Sequence, residues 1–148
     1  MSDFALRLIE RLHGHIGWLA AAAVLHPALL LRNPKRNAAL SVGLATFLIS
    51  IAGVMGAYVY PLYRMKLKQD IFIHSQTIGW MFERKEHLAV GAIGFAWIGC
   101  VAYFSKAHFD EASRPSLARV AWLAFATSFA MSASVALIGT IVASYRSF

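Results

Sequence analysis

Four apolar stretches, at about residues 14–31, 38–60, 87–105 and 117–143, are separated by short charged connections. Each is near or above the ~17 to 25 residues that cross a bilayer as a helix. Hydrocarbon offers no partner for a backbone N–H or C=O, so stretches of this kind satisfy their own polar groups by coiling. The apolar share is 59% and the charged share 14%, against about a quarter charged in soluble domains. The expected fold is all-α: an integral membrane four-helix up-down bundle forming one transmembrane domain over residues 1–148.

A net charge of +7 could suggest a nucleic-acid partner, but its distribution points elsewhere. Arg32, Lys35 and Arg36 fall in one connection, Arg64, Lys66, Lys68, Arg84 and Lys85 in the next, and Lys106, Arg114 and Arg119 in the last. Juxtamembrane cations suit lipid headgroups and topology signals, so the expected partners are membrane lipids and other membrane subunits, with no nucleic acid. A slight excess of cations on the side of the N-terminus favours an N-inside orientation, and the expected location is a bacterial inner membrane. Cys100 is the only cysteine, which excludes an internal disulfide and any cysteine-based cluster. Arg7 and Arg11 ahead of an apolar run resemble a signal peptide. That run ends in His26-Pro27 and a leucine series rather than a polar cleavage region, so a retained first helix is expected.

Residues 4–11 alternate apolar and charged side chains, as an interfacial lead into the first helix would. Asn33-Pro34-Lys35-Arg36-Asn37 reads as a tight turn, and Pro61 as the close of the second helix. Between them and the third helix lies the longest connection, Leu62 to Glu86. Its apolar middle, Ile71 to Phe82, is too short to span and reads as an interfacial or re-entrant segment. Glu83-Arg84-Lys85-Glu86 marks the start of the third helix. Small residues recur at packing intervals: Gly53 and Ala57, then Ala92, Ala96 and Cys100, then Ala124, Ser128, Ser132, Ala136 and Thr140. Trp18, Trp80 and Trp122 suit an aromatic belt, and Trp97 a place in the core.

Three histidines, His13, His15 and His26, lie in or beside the first apolar stretch. Eleven helical steps separate His15 from His26, leaving them about 20° apart in azimuth and about 16 Å apart along the axis. An up-down order places His13, His15, His74 and His87 on one membrane side, and His26 and His108 on the other. His13, His74 and His108 fall at interfaces, where a histidine costs little; His15 and His26 lie deeper and call more strongly for a functional reason. One use is haem b, with iron held by His15 and His87 from two helices and His13 or His74 as substitutes. Gly14, Gly17, Gly91 and Gly94 would make room for the ring, and Arg11, Arg84 and Lys85 would meet its propionates. His26 would serve a second haem but has no partner histidine in reach, so one haem is expected rather than two. A divalent metal held by His13 or His15 with His74 or His87 is a second use. Quinone or proton handling is a third, with Tyr58, Tyr60, Tyr63 and Trp80 on the same side. No nucleophile–base pair, phosphate loop or metalloprotease motif occurs, and no helix beyond the Glu83–Glu86 stretch is expected to bury a carboxylate.

Four apolar helices with His15 near the start of the first, His26 near its end and His87 at the start of the third resemble small membrane cytochrome b-type subunits. The haem-carrying anchors of dehydrogenases and hydrogenases are of this kind. The resemblance implies a haem b electron-transfer subunit that passes electrons between a partner redox protein and the quinone pool. It implies a subunit of an oxidoreductase complex rather than a stand-alone enzyme. The competing expectation is a non-catalytic anchor or assembly subunit with no cofactor of its own.

Overall fold

A computed structural model describes residues 3–33 and 35–145; it is wholly helical, with α1 at Asp3–Leu30, α2 at Ala39–Lys66, α3 at Lys68–His74, α4 at Gln76–Ser105 and α5 at Arg114–Tyr145. α2, α4 and α5 are each long and apolar enough to cross a membrane. α1 has 28 residues, about 42 Å of helix, but Arg7, Glu10, Arg11 and three histidines interrupt its apolar character. The expected interfacial lead at residues 4–11 is continuous with the rest of α1 rather than a separate element.

Two expected boundaries move. α2 runs through Pro61 to Lys66 instead of closing there. Proline removes one helical hydrogen bond, but Pro61 is exposed, while Val59, Tyr63 and Leu67 bury the opposite side of the same turns against Ile71, Phe82 and Val142. Packing of that face carries the helix past the break. The segment between the second and third apolar stretches is also helical: α3 and the first turns of α4 occupy it. The two meet at Ser75, whose backbone is extended and whose Oγ accepts from Ile78 N–H at 3.4 Å, the N-cap of α4.

The core has small residues inside and large ones outside. Ala20, Ala28, Ala45, Ala52, Ala92, Ala96, Ala102 and Ala121 are buried, whereas Phe47, Val54, Val90, Trp97, Val101 and Leu137 are exposed. Trp97, expected in the core, is 52% exposed and donates from Nε1 to Ser50 Oγ at 3.1 Å. This inversion suits lipid, where close backbone approach rather than expulsion of apolar groups from water holds helices together.

α1 packs on α2 and α5, and α4 packs on α2 and α5. The α4–α5 contact is the most extensive. Ala92 and Ala96 face Ala121, Ala124 and Ser128, and Ser128 Oγ–H donates to the Ala92 carbonyl at 2.7 Å across the seam. At Gly99 a Cβ would sit 2.8 Å from the Phe125 ring and 3.3 Å from the Ala121 carbonyl oxygen, so the seam requires glycine there.

The connection from α1 to α2 is closed by Tyr103 of α4. Its Oη accepts from Ala38 N–H at 2.9 Å and donates to Asn37 Oδ1 at 3.3 Å, satisfying a backbone donor at the start of α2. Pro34 of the expected turn lies outside the described residues. Before α5, Asp110 Oδ1 accepts from Ser113 N–H at 3.2 Å, and hydrogen bonds from Ser113 hold that exposed carboxyl below the usual carboxylate range. A lowered carboxyl favours the fold above the ordinary pKa, and that help disappears as pH falls through the lowered value.

Gly99→Leu is expected to destabilise the chain by at least about 1–3 kcal/mol through overpacking of the α4–α5 seam. Gly94→Leu, at a position where a Cβ meets nothing within 4 Å, should be tolerated. Thermal unfolding of both variants in detergent checks this; equal loss in the two would place the seam elsewhere.

Candidate functional site

The buried face of α1 follows a spacing of three and four residues: Leu6, Glu10, His13, Ala20, Val24, Ala28 and Leu31. Glu10 and His13 therefore turn inward with the core, half-buried. Tyr63 of α2 donates from Oη to Glu10 Oε1 at 2.7 Å, and its ring stacks on Phe82 of α4 at 5.3 Å between centroids. The His13 ring lies against Gly56 of α2, where a Cβ would come within 3.0 Å of its Cε1. His13 Nδ1 is buried and has no hydrogen-bond partner.

α4 brings three more ionisable groups to this end. Lys85 is half-buried, with its ammonium 5.0 Å from the Phe82 ring centroid and 5.9 Å from that of Tyr63. Among the described residues it forms no ion pair. Cation–π attraction to two rings stabilises the charge only partly, since each such contact is worth about 0.5–2 kcal/mol. Glu86 lies near Tyr60, and Glu83 is ion-paired with Lys68 of α3. A half-buried His, Lys and three carboxylates thus gather around Tyr63 where α1 begins, α2 ends and α4 begins. Glu10 joins Glu83 and Glu86 from α1, each of them half-buried; none of the described carboxylates is fully buried.

The other histidines have a different environment. His15, His26, His74, His87 and His108 are all exposed. At about 100° per residue, His15 and His26 lie within about 20° of one another and about 160–180° from the buried stripe of α1. His15 Nδ1 meets the Arg11 carbonyl at 2.7 Å, His74 Nδ1 the Asp70 carbonyl at 2.8 Å, and His87 Nδ1 the Glu83 carbonyl at 2.9 Å. A carbonyl only accepts, so in each ring Nδ1 donates and Nε2 is the nitrogen turned away from the helix. His74 also has Asp70 Oδ1 at 3.4 Å. His26 Nδ1 pairs with Ser41 Oγ of α2 at 2.8 Å, and His108 borders a cleft with Cys100 and Phe104.

These placements separate the expected ligands. His15 and His87 present their rings outward, on helices whose principal packing partners are α2 and α5. No group of three or more His, Cys, Asp or Glu residues among the described residues is arranged to hold a metal ion. Arg11 and Arg84 are exposed. The expected aromatic set divides as well. Tyr60 and Tyr63 turn toward the cluster, and Tyr58 and Trp80 are exposed.

The residues missed from sequence were Glu10 and the roles of Lys85 and Tyr63. The signal was present, since Glu10 and His13 continue the spacing of Leu6, Ala20 and Val24. It was masked because Phe4, Leu8 and Leu12 are apolar and exposed on the other faces of the same turns, which blurs the inner face. In comparisons with protein-family models, curated proteins and solved structures, nothing matches this chain.

Tyr63→Phe should cost about 1–3 kcal/mol, by leaving the half-buried Glu10 carboxylate short of a donor. Lys85→Met should leave the unfolding temperature unchanged or raise it, because the ammonium has no ion pair to lose. A fall for Lys85→Met as large as that for Tyr63→Phe would show that the charge is held for stability.

Proposed function

We propose that the chain is an integral membrane subunit of a redox complex, with α1, α2, α4 and α5 crossing a bacterial inner membrane as an up-down bundle. In this reading it binds haem b and passes electrons between a partner redox protein and the quinone pool. The observation that carries the reading is the state of the outward histidines. His15 and His87 each donate from Nδ1 to their own helix, which fixes the ring and turns Nε2 away from the helix as the nitrogen that would ligate iron. His74 is held in the same way.

Because His15 and His87 are exposed on helices that pack on α2 and α5 rather than on each other, one of them would hold the iron from the outer face of its helix, with the other ligand from a partner subunit. Bound haem b would supply one-electron transfer. The inward cluster is at the same end, and its hydrogen-bonding groups match the chemistry of a quinone carbonyl. Lys85 offers an ammonium and His13 an unpaired Nδ1. Ionisable groups at membrane depth are expensive, which favours retention for a function of this type.

A second reading is a membrane anchor or assembly subunit without a cofactor. It draws on Gly14, Gly17, Gly43 and Gly94, where a Cβ would meet nothing within 4 Å and the surface is open to a neighbouring helix.

A reduced-minus-oxidised absorbance spectrum of the chain, purified after growth with ample haem supply, should show a sharp α-band. His15→Ala or His87→Ala should abolish it, and His108→Ala should leave it intact. A colourless protein that still co-purifies with a partner after replacement of all six histidines would establish the second reading instead.

A further inference from the structure

α2, α4 and α5 are each apolar enough to cross a membrane, whereas α1 carries polar groups on the side turned away from the bundle. Arg11 and, just past the helix end, Arg32 stand about 30 Å apart along its axis. That interval matches a hydrocarbon core of ~30 Å. His15 lies about 6 Å inside the first of these levels and His26 about 9 Å inside the second. Both rings are exposed, on the face that also presents Leu8, Leu19, Ala22 and Leu29. The opposite side of α1 packs on α2 and α5, so no described element of the chain covers this face.

Acyl chains offer nothing to an imidazole nitrogen, and a charged ring at this depth costs more still. Trp18 and Trp97, which are also exposed, meet the same difficulty by donating to Thr140 and Ser50 of the same chain. His87 directly follows the charged run Glu83–Glu86 and lies at the rim, where water reaches it. Neither His15 nor His26 has a partner for Nε2 among the described residues. His15 donates from Nδ1 to the Arg11 carbonyl, so its ring, kept neutral in hydrocarbon, presents a lone pair at Nε2. His26 pairs through Nδ1 with Ser41 Oγ, a hydroxyl that donates or accepts, so its Nε2 is free to do either.

Whatever covers this face therefore has to answer two ring nitrogens at two depths about 16 Å apart. A second copy of the chain does so by symmetry alone. Two copies inserted with the same topology form a closed pair about an axis along the membrane normal. α1 beside that axis runs parallel to α1 of the copy, and every residue lies at the depth of its own equivalent. We propose that the outer face of α1 pairs with the same face of a second copy, bringing His15 to His15 of the partner subunit and His26 to His26 of the partner subunit. The proposal rests on the haem reading and identifies the partner that supplies the second ligand. At the His15 level two lone pairs face one another and need a cation between them, which one shared haem iron provides. Arg11, one turn nearer the rim on the same face, would meet its own equivalent there, and the haem propionates are the anions that relieve that repulsion. At the His26 level one Nε2–H donates to the other Nε2, and no metal is needed.

The test uses the full chain in native membranes, from cells grown with ample haem supply. Cys100→Ala removes the native thiol, and single cysteines are then introduced as Leu19→Cys or Ala22→Cys on the proposed face, or as Phe47→Cys or Val54→Cys on the exposed face of α2. A short bismaleimide should join two copies through Leu19→Cys and Ala22→Cys and leave Phe47→Cys and Val54→Cys unjoined. The purified chain should hold one haem for every two chains. His15→Ala should abolish the haem band and weaken the cross-link through Ala22→Cys. His26→Ala should weaken the same cross-link and keep the band. Equal joining at all four positions, or none on α1, overturns the pairing. One haem for each chain overturns the shared iron, and an unchanged cross-link in His26→Ala overturns the His26 pair. A haem band without cross-links on α1 overturns the second copy while the haem reading stands. Cross-links on α1 without a band overturn the haem reading and the shared iron with it.

Discussion

Close approach of α4 and α5 is the contact on which the arrangement depends. In lipid, helices gain little by hiding apolar side chains from one another, because the acyl chains are equally apolar. What remains is dispersion at short range, and that requires backbones to meet. Ala92, Ala96 and Gly99 on one side, with Ala121, Ala124 and Ser128 on the other, allow it. The Ser128 hydroxyl adds a bond to the Ala92 carbonyl that has no competing water in a buried seam. With this pair fixed, α1 and α2 pack on its two sides, and Tyr103 closes their connection from α4.

The same logic explains why polar groups gather where they do. The end at which α1 begins and α2 ends has larger side chains in its core: Tyr63, Phe82, Ile71 and Val142 replace the alanines of the middle. Glu10, His13 and Lys85 lie among these larger side chains. Tyr63 serves three of these roles at once, stacking on Phe82, lying under the Lys85 ammonium and donating to Glu10.

The histidines fall into two populations with opposite orientation. His13 continues the buried stripe of α1 and lies on Gly56, with an unpaired buried nitrogen. His15 and His87 are exposed, each tied back to its own helix through Nδ1. Two positions along a helix turn a side chain by about 200°, which is enough to convert an interior group into a surface one. A reading by membrane side alone places His13 and His15 together, whereas a reading by helix face separates them.

Composition and periodicity alone determined that the chain is helical and apolar enough for a membrane. Hydrocarbon leaves long uncharged stretches no other way to satisfy their backbones, and that constraint acts on residue type rather than on contacts. The eleven-residue interval likewise determined that His15 and His26 share a face. Which face it is, and which groups meet across the bundle, only the tertiary structure decided. On a helix with apolar residues on more than one face, inside and outside are set by where small residues let a neighbour approach. Pro61 belongs to the same class. The local signal pointed to an end, but burial of Val59, Tyr63 and Leu67 along one face carried the helix through. Glu10 looked like an interfacial charge in sequence and became the acceptor for Tyr63, because its place on the stripe of Leu6 and His13 outweighed its charged neighbours.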